Sequence, residues 1–129
     1  MNFAFPNLEA AFGDVQVEVN TRGDLGRLDE FYTITTEEGS VLVGIAGDTG
    51  TTSDSFDCNA AFNVDTFTIP QADFNGYIAG DGSLTIEADP SAEVNTFCQF
   101  DEVFVKLSYI ACGLESTAAV VAESVGEEV

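Results

Sequence analysis

The sequence predicts an all-β fold, an antiparallel β-sandwich of jelly-roll type with about eight strands. Short runs in which apolar and polar residues alternate, separated by Gly- and Asp-containing turns, are the first two indications. The third is that no segment before Gly113 has a convincing 3.6-residue apolar repeat. The 129 residues, 45% of them hydrophobic, are enough for one domain with one core.

The clearest predicted strand lies at residues 14–20, where Val15, Val17 and Val19 alternate with polar residues. Such alternation places one face of a strand against a core and the other in solvent. Residues 102–110 repeat the pattern. The full set of predicted strands is 2–5, 14–20, 30–36, 41–46, 62–69, 84–88 and 102–110.

Glycine-containing turns separate these predicted strands. Gly23, Gly39 and Gly82 each lie between two predicted strands, and glycine accepts the positive φ that a tight reversal requires. Residues 71–75, which follow Pro70, are compatible with one helical turn. We therefore expect strands joined mainly by hairpins and arches.

The composition divides the chain into an N-terminal arm at 1–13, the sandwich at 14–112 and an acidic C-terminal tail at 113–129. The tail has a weak apolar stripe at helical spacing. Its members are Leu114, Ala118, Val121 and Val125. We expect both end segments to dock on neighbouring subunits, although a frayed terminus is the alternative.

The charge balance excludes two classes of partner. Arg22, Arg27 and Lys106 stand against 23 acidic residues, a net charge of −20. Nucleic-acid binding needs a patch of cations, and an anionic membrane surface repels such a chain. Self-repulsion at this charge is tolerable where salt screens it, where cations bind, or where a partner covers it. We expect a saline setting, bound calcium or docking onto a larger assembly.

The chain is not expected to be an enzyme or to insert into a membrane. It has no His, which removes the usual catalytic triads and the commonest zinc ligand, and it has no nucleotide-binding or nucleophile-elbow motif. No apolar run reaches the roughly 20 residues of a membrane span. No secretory signal follows Met1, so we expect an extracellular or virion-surface protein that is exported with other components or released by lysis.

Calcium is the cofactor that the acidic loops favour, because Asp, Asn, Gly and Thr supply the hard oxygen ligands that the ion prefers. The alternative is that these acids only solvate the surface. The candidate ligands form three clusters along the chain: Asp24, Asp29 and Glu30; Asp48, Asp54 and Asp57; and Asp81, Asp89 and Glu93.

Aromatic residues divide into candidate ligand contacts and expected core. Exposed rings near loops can stack on sugars, and the candidates are Tyr32, Phe56, Tyr77 and Phe100. In a protein without Trp, however, Phe is more often a core residue. The Phe residues expected to be buried are Phe62, Phe67, Phe74, Phe97 and Phe104.

Cys58 and Cys98 each lie in one of two long loops, at residues 47–59 and 89–101. Loops of a sandwich can meet at one end of the core, so we expect a Cys58–Cys98 disulfide, with two free thiols as the alternative. Cys112 is then left over, as a small buried residue or as a thiol that cross-links two chains.

Seven stretches, in order, carry a family resemblance: GDL at 23–25, Glu30, FTIP at 67–70, FN at 74–75, DGSLTI at 81–86, VNTFC at 94–98 and VKLSY at 105–109. Together they resemble a β-sandwich module of large bacterial surface and secreted proteins, with one cysteine ahead of the FTIP-like strand and another after the VN dipeptide. The resemblance covers about residues 12–110 and implies the sandwich fold and the Cys58–Cys98 pair.

A small acidic sandwich with extensions at both ends is also similar in architecture to the decoration, or cement, proteins of tailed-phage capsids. That similarity implies a non-catalytic structural or adhesive module on an extracellular assembly. The most specific version of this hypothesis is a virion decoration protein. Its partners would be protein subunits, in a homo-oligomer. The alternative function is a calcium-dependent carbohydrate-binding module that contacts a glycan.

Overall fold

The computed structural model describes residues 1–25, 29–37, 40–48, 58–92, 94, 102–111 and 114–121. In these residues, eight strands form two antiparallel four-stranded sheets. The elements are β1 (Asn2–Phe5), β2 (Val15–Asp24), β3 (Tyr32–Thr36), β4 (Val41–Ala46), β5 (Cys58–Ile69), α1 (Gln71–Ile78), β6 (Leu84–Pro90), β7 (Glu102–Ala111) and β8 (Leu114–Val121). The predicted all-β antiparallel sandwich is confirmed, while its jelly-roll connectivity stays a prediction.

The strand order is β1-β6-β3-β4 in the first sheet and β5-β2-β7-β8 in the second. The alternating strands bury one side chain in two, as their sequence predicts. Val15, Val17 and Val19 of β2 are each 0% exposed. The core between the sheets also contains Phe3, Phe5, Ile34, Leu84, Ile86, Val103, Val105 and Leu107. Burial of each such side chain contributes about 1.5–3 kcal/mol.

The sandwich extends beyond the predicted limits of 14–112 at both ends. β1 pairs with β6 as one edge of the first sheet, and β8 pairs with β7 as one edge of the second. Three residues of the apolar stripe that suggested helical spacing after Gly113, namely Leu114, Ala118 and Val121, therefore lie in an extended strand, and Val125 lies outside the described residues. The reason is that β8 satisfies the backbone groups along β7, which local sequence spacing does not reveal.

The predicted N-terminal arm is also fixed to the domain. The Asn75 side chain of α1 accepts a hydrogen bond from Ala11 N at 2.7 Å and donates one to Ala11 O at 3.1 Å. The Tyr109 hydroxyl donates to Glu9 O at 3.0 Å. The helix itself is two turns long rather than one, and it buries Phe74 and Ile78, which are four residues apart on one face.

Candidate functional site

Exposed apolar side chains concentrate on one side of the sandwich. Seven large hydrophobic side chains are exposed in the described ranges, and five of them belong to β4 and β5. β4 is an edge strand of the first sheet and β5 is an edge strand of the second. We call these five residues the β4–β5 surface: Val41, Leu42, Ile45, Phe62 and Val64.

β4 is an edge strand without charge, in a chain with 23 acidic residues. Its sequence is VLVGIA, and Leu42 is 64% exposed. Natural proteins usually protect edge strands with charged residues, proline or bulges, because an open apolar edge pairs with other chains. β4 has a bulge at Val43, where the register with β3 shifts, but its exposed side chains are apolar. Such an edge is typical of a contact surface.

Two contacts hold β4 against β5 and thereby fix the β4–β5 surface. The ring of Phe67 lies directly against Gly44, so that a Cβ atom at position 44 would overlap it. The backbone N–H of Gly47 donates a hydrogen bond to Asp65 Oδ2 at 2.9 Å. The two sheets are therefore joined along this side, and the exposed residues of both strands keep a defined relative position.

A shallow groove of about 100 Å³ lies at one end of this surface. Val41 and Leu42 line it together with Pro70, Asp73 and Tyr77. Burial raises the pKa of the Tyr77 hydroxyl, and the negative charges of Asp73 and Glu37 raise it further. A tyrosine hydroxyl with its ordinary pKa of 10.0 is already protonated at neutral pH, so this one is a hydrogen-bond donor there and keeps its proton to higher pH.

At the other end of the β4–β5 surface, the Phe62 ring contacts a cation and a second aromatic ring. The guanidinium carbon of Arg22 lies 4.5 Å from the centre of the Phe62 ring, and Arg22 Nε donates to Glu102 Oε1 at 2.6 Å. The Phe62 and Phe104 rings meet edge to face with centres 5.1 Å apart. Arginine and aromatic residues of this kind dominate the binding energy of many interfaces.

The prediction that Phe62 is buried is wrong, because Phe62 is 37% exposed. It lies on the outward face of β5, whereas Phe67, an odd number of residues away, turns toward the core. Phe67 and Phe104 are partly buried. The prediction for Phe74, at 0% exposure, is confirmed. Phe97 lies outside the described residues.

Two of the predicted calcium ligands, Asp81 and Asp89, lie apart in the structure. Asp81 precedes β6 and Asp89 lies near its far end, so at about 3.3 Å per residue roughly 15 Å or more separates them. Asp81 accepts a hydrogen bond from Ser83 N at 3.0 Å, which lowers its pKa. Across the described residues, no group of three Asp, Glu or Cys residues is placed to hold a metal ion.

The other two predicted clusters are only partly described. Glu30 is 2% exposed, whereas Asp29 is exposed, so these neighbours do not present both carboxylates to one surface ion. Asp48 is also exposed. The side chain of Asp24 and the residues Asp54, Asp57 and Glu93 lie outside the described residues.

The aromatic residues predicted to contact a ligand differ in their exposure in the structure. Tyr32 is 1% exposed, because the inward face of β3 places it in the core, and this corrects its assignment to ligand contact. Tyr77 is partly exposed and lines the groove beside Pro70. Phe56 and Phe100 lie outside the described residues.

The predicted disulfide falls on residues whose side chains are not described. Cys58 begins β5, opposite Asp24 of β2, and its side chain lies outside the described part of the chain. Cys98 and Cys112 also lie outside it. The Cys58–Cys98 pair stays a prediction.

Comparison with known proteins adds no relative. No protein-family model, curated protein or solved structure matches the chain. Within the residues that the structure describes, no helix has the length and apolar character that crossing a bilayer requires. The alternating sequence predicted β4 and β5 only as two strands and did not predict the β4–β5 surface that their exposed side chains form. The sequence feature that could have indicated this surface is the uncharged segment 41–46 in a strongly acidic chain.

Proposed function

We propose that this chain is a non-catalytic structural or adhesive module that docks onto a larger extracellular assembly. The most specific form of this proposal is a decoration protein on a virion surface. The observation that supports this is the β4–β5 surface, an exposed apolar area on a chain of net charge −20. Exposed apolar side chains on an uncharged edge strand are typical of contact sites. A partner that covers this surface removes both the apolar side chains and the edge strand from solvent.

The chemistry of the surface defines the complementary partner. Apolar side chains such as Leu42 and Val64 favour an apolar centre on the partner, while the surrounding acidic field favours a basic rim. A face-to-face contact of two such chains places like charges around the rim, which salt must screen. We therefore propose that the β4–β5 surface meets a subunit of different charge, and that any homo-oligomer forms through another face.

A single introduced charge tests this assignment. Leu42→Asp places a carboxylate on the β4–β5 surface, at a side chain already 64% exposed, so the fold should be retained. Ala72→Asp adds the same charge at an exposed position on α1, outside the surface, and is the matched control. Far-ultraviolet circular dichroism establishes that both variants keep the β-sheet spectrum.

The measurement is the distribution of the protein between assembled particles and the soluble fraction of its native source. We expect the native chain and Ala72→Asp to sediment with particles at constant stoichiometry and to be visible on them by cryo-electron microscopy. We expect Leu42→Asp to remain in the soluble fraction. A native chain that never sediments with particles, or a Leu42→Asp variant that sediments as well as the control, would contradict the proposal.

A further inference from the structure

Two buried polar atoms on neighbouring strands lack a hydrogen-bond partner in the described part of the chain. They are Thr21 Oγ1 and Asn63 Nδ2, and Thr21 is 0% exposed. Thr21 of β2 is paired directly with Asn63 of β5, which places the two side chains about 5 Å apart on one face of the sheet. Buried polar groups almost always have a partner, so these two atoms indicate a bound water or ion beside them.

Asp65 lies beside this pair. It is two residues from Asn63 along β5, and side chains two apart in a strand share a face. One carboxylate oxygen, Asp65 Oδ2, accepts the N–H of Gly47 at 2.9 Å. A Cβ atom at Gly47 would lie 2.9 Å from Thr21 Oγ1, so the Thr21 hydroxyl also points at Gly47. Thr21 and Asp65, on two neighbouring strands, thus both lie next to Gly47.

We propose that Thr21, Asn63 and Asp65 form a site for a hard cation, Ca²⁺, next to the backbone of Gly47. Calcium binds hydroxyl, carboxamide and carboxylate oxygens, and Asp65 has a second oxygen, Oδ1, besides the one bonded to Gly47. Half a turn of the Asn63 carboxamide presents Oδ1 at the place of the unpaired Nδ2, since the two orientations have the same shape. The net charge of −20 raises the local concentration of divalent cations.

This site differs from the acidic clusters predicted from sequence. It has one carboxylate, so its affinity falls in the weak range of extracellular calcium modules, with a Kd of about 10⁻⁴ to 10⁻³ M. It joins β2, β5 and the residue that follows β4, and an ion there would connect the two sheets. Ion binding at this site is independent of the proposed docking function.

The test is ion binding to the isolated, full-length protein. Tb³⁺ serves as a luminescent probe, excited through Tyr32, whose backbone pairs with Ala46, the residue before Gly47. Thr21→Val keeps the shape of the side chain but removes the hydroxyl. Asp65→Asn keeps an acceptor for Gly47 N–H but removes the charge. The matched controls are Thr66→Val and Asp73→Asn, at exposed positions on β5 and α1.

At constant ionic strength we expect saturable Tb³⁺ luminescence that Ca²⁺ displaces. Thr21→Val and Asp65→Asn should weaken binding about ten-fold or more, while both controls should bind as the native chain does. Thr21→Val should fold at least as stably as the native chain without metal, because it removes an unpaired buried group, so its loss of binding will not reflect unfolding. Absence of saturable binding up to about 10 mM Ca²⁺, or equal affinity in all four variants, overturns the proposal and assigns the two unpaired atoms to bound water.

Discussion

The ring of Phe67 fills the space beside Gly44 that a side chain at position 44 would occupy. Phe67 belongs to β5 of the second sheet and Gly44 to β4 of the first. The absence of a Cβ atom at position 44 therefore allows an aromatic ring to pack across the two sheets. The β4–β5 surface depends on this contact for its shape.

Gly44→Ala should destabilise the protein by about 1–3 kcal/mol, because the added methyl group overlaps a ring that must then move. Equilibrium urea unfolding measures the change. Gly76→Ala is the control, since a Cβ at position 76 of α1 meets nothing within 4 Å and alanine should stabilise the helix by up to about 1 kcal/mol. Phe67→Leu in the Gly44→Ala background should recover part of the loss. Equal effects of the two glycine substitutions would show that Phe67 does not restrict position 44.

The sequence predicted what period-two alternation determines and missed what pairing between strands determines. Residues 14–20 identified a half-buried strand because Val15, Val17 and Val19 occupy one face. The same alternation does not show which apolar strand becomes an edge, so the exposure of Phe62 and Leu42 was not predicted. Thr21 and Asn63 are distant in sequence, and only the β2–β5 register brings them together.

The pair Arg22–Glu102 offers a second prediction, at the end of the β4–β5 surface where Arg22 also contacts Phe62. The two charged side chains are 23% and 31% exposed, so solvent screens much of their attraction. A double-mutant cycle with Arg22→Met and Glu102→Gln should give a coupling of about 0.2–1 kcal/mol that decreases in salt. Arg22→Met should also cost more than Glu102→Gln, since it removes the contact with the ring. Equal costs would count against that contact.

The pKa of Tyr77 provides a third prediction. Burial and the charges of Asp73 and Glu37 raise this pKa above its ordinary value of 10.0. The folded state therefore holds the proton to higher pH than the unfolded chain, so the stabilisation is present below pH 10.0 and is lost as the pH rises through the folded pKa. Asp73→Asn should lower the pKa of Tyr77, and Asp89→Asn should not. Tyrosinate absorbance near 295 nm, with Tyr77→Phe to assign the transition, measures both; an unchanged pKa in Asp73→Asn would exclude the charge of Asp73 as a cause.

The last prediction concerns β8, in the segment that the sequence suggested was a tail. β8 pairs with β7 over eight residue pairs from Phe104↔Val121 to Ala111↔Leu114, and β7 contributes Val103, Val105 and Leu107 to the core. A chain that ends at Ala111 leaves the backbone groups on one edge of β7 without β8, and we expect a loss of more than about 4 kcal/mol, beyond most single substitutions. This is a large share of the roughly 5–15 kcal/mol that stabilises a typical single domain. A chain that ends at Val121 retains all eight strands and is the control. If circular dichroism and urea unfolding show the shorter chain to be as stable as the control, β8 is not part of the cooperative fold.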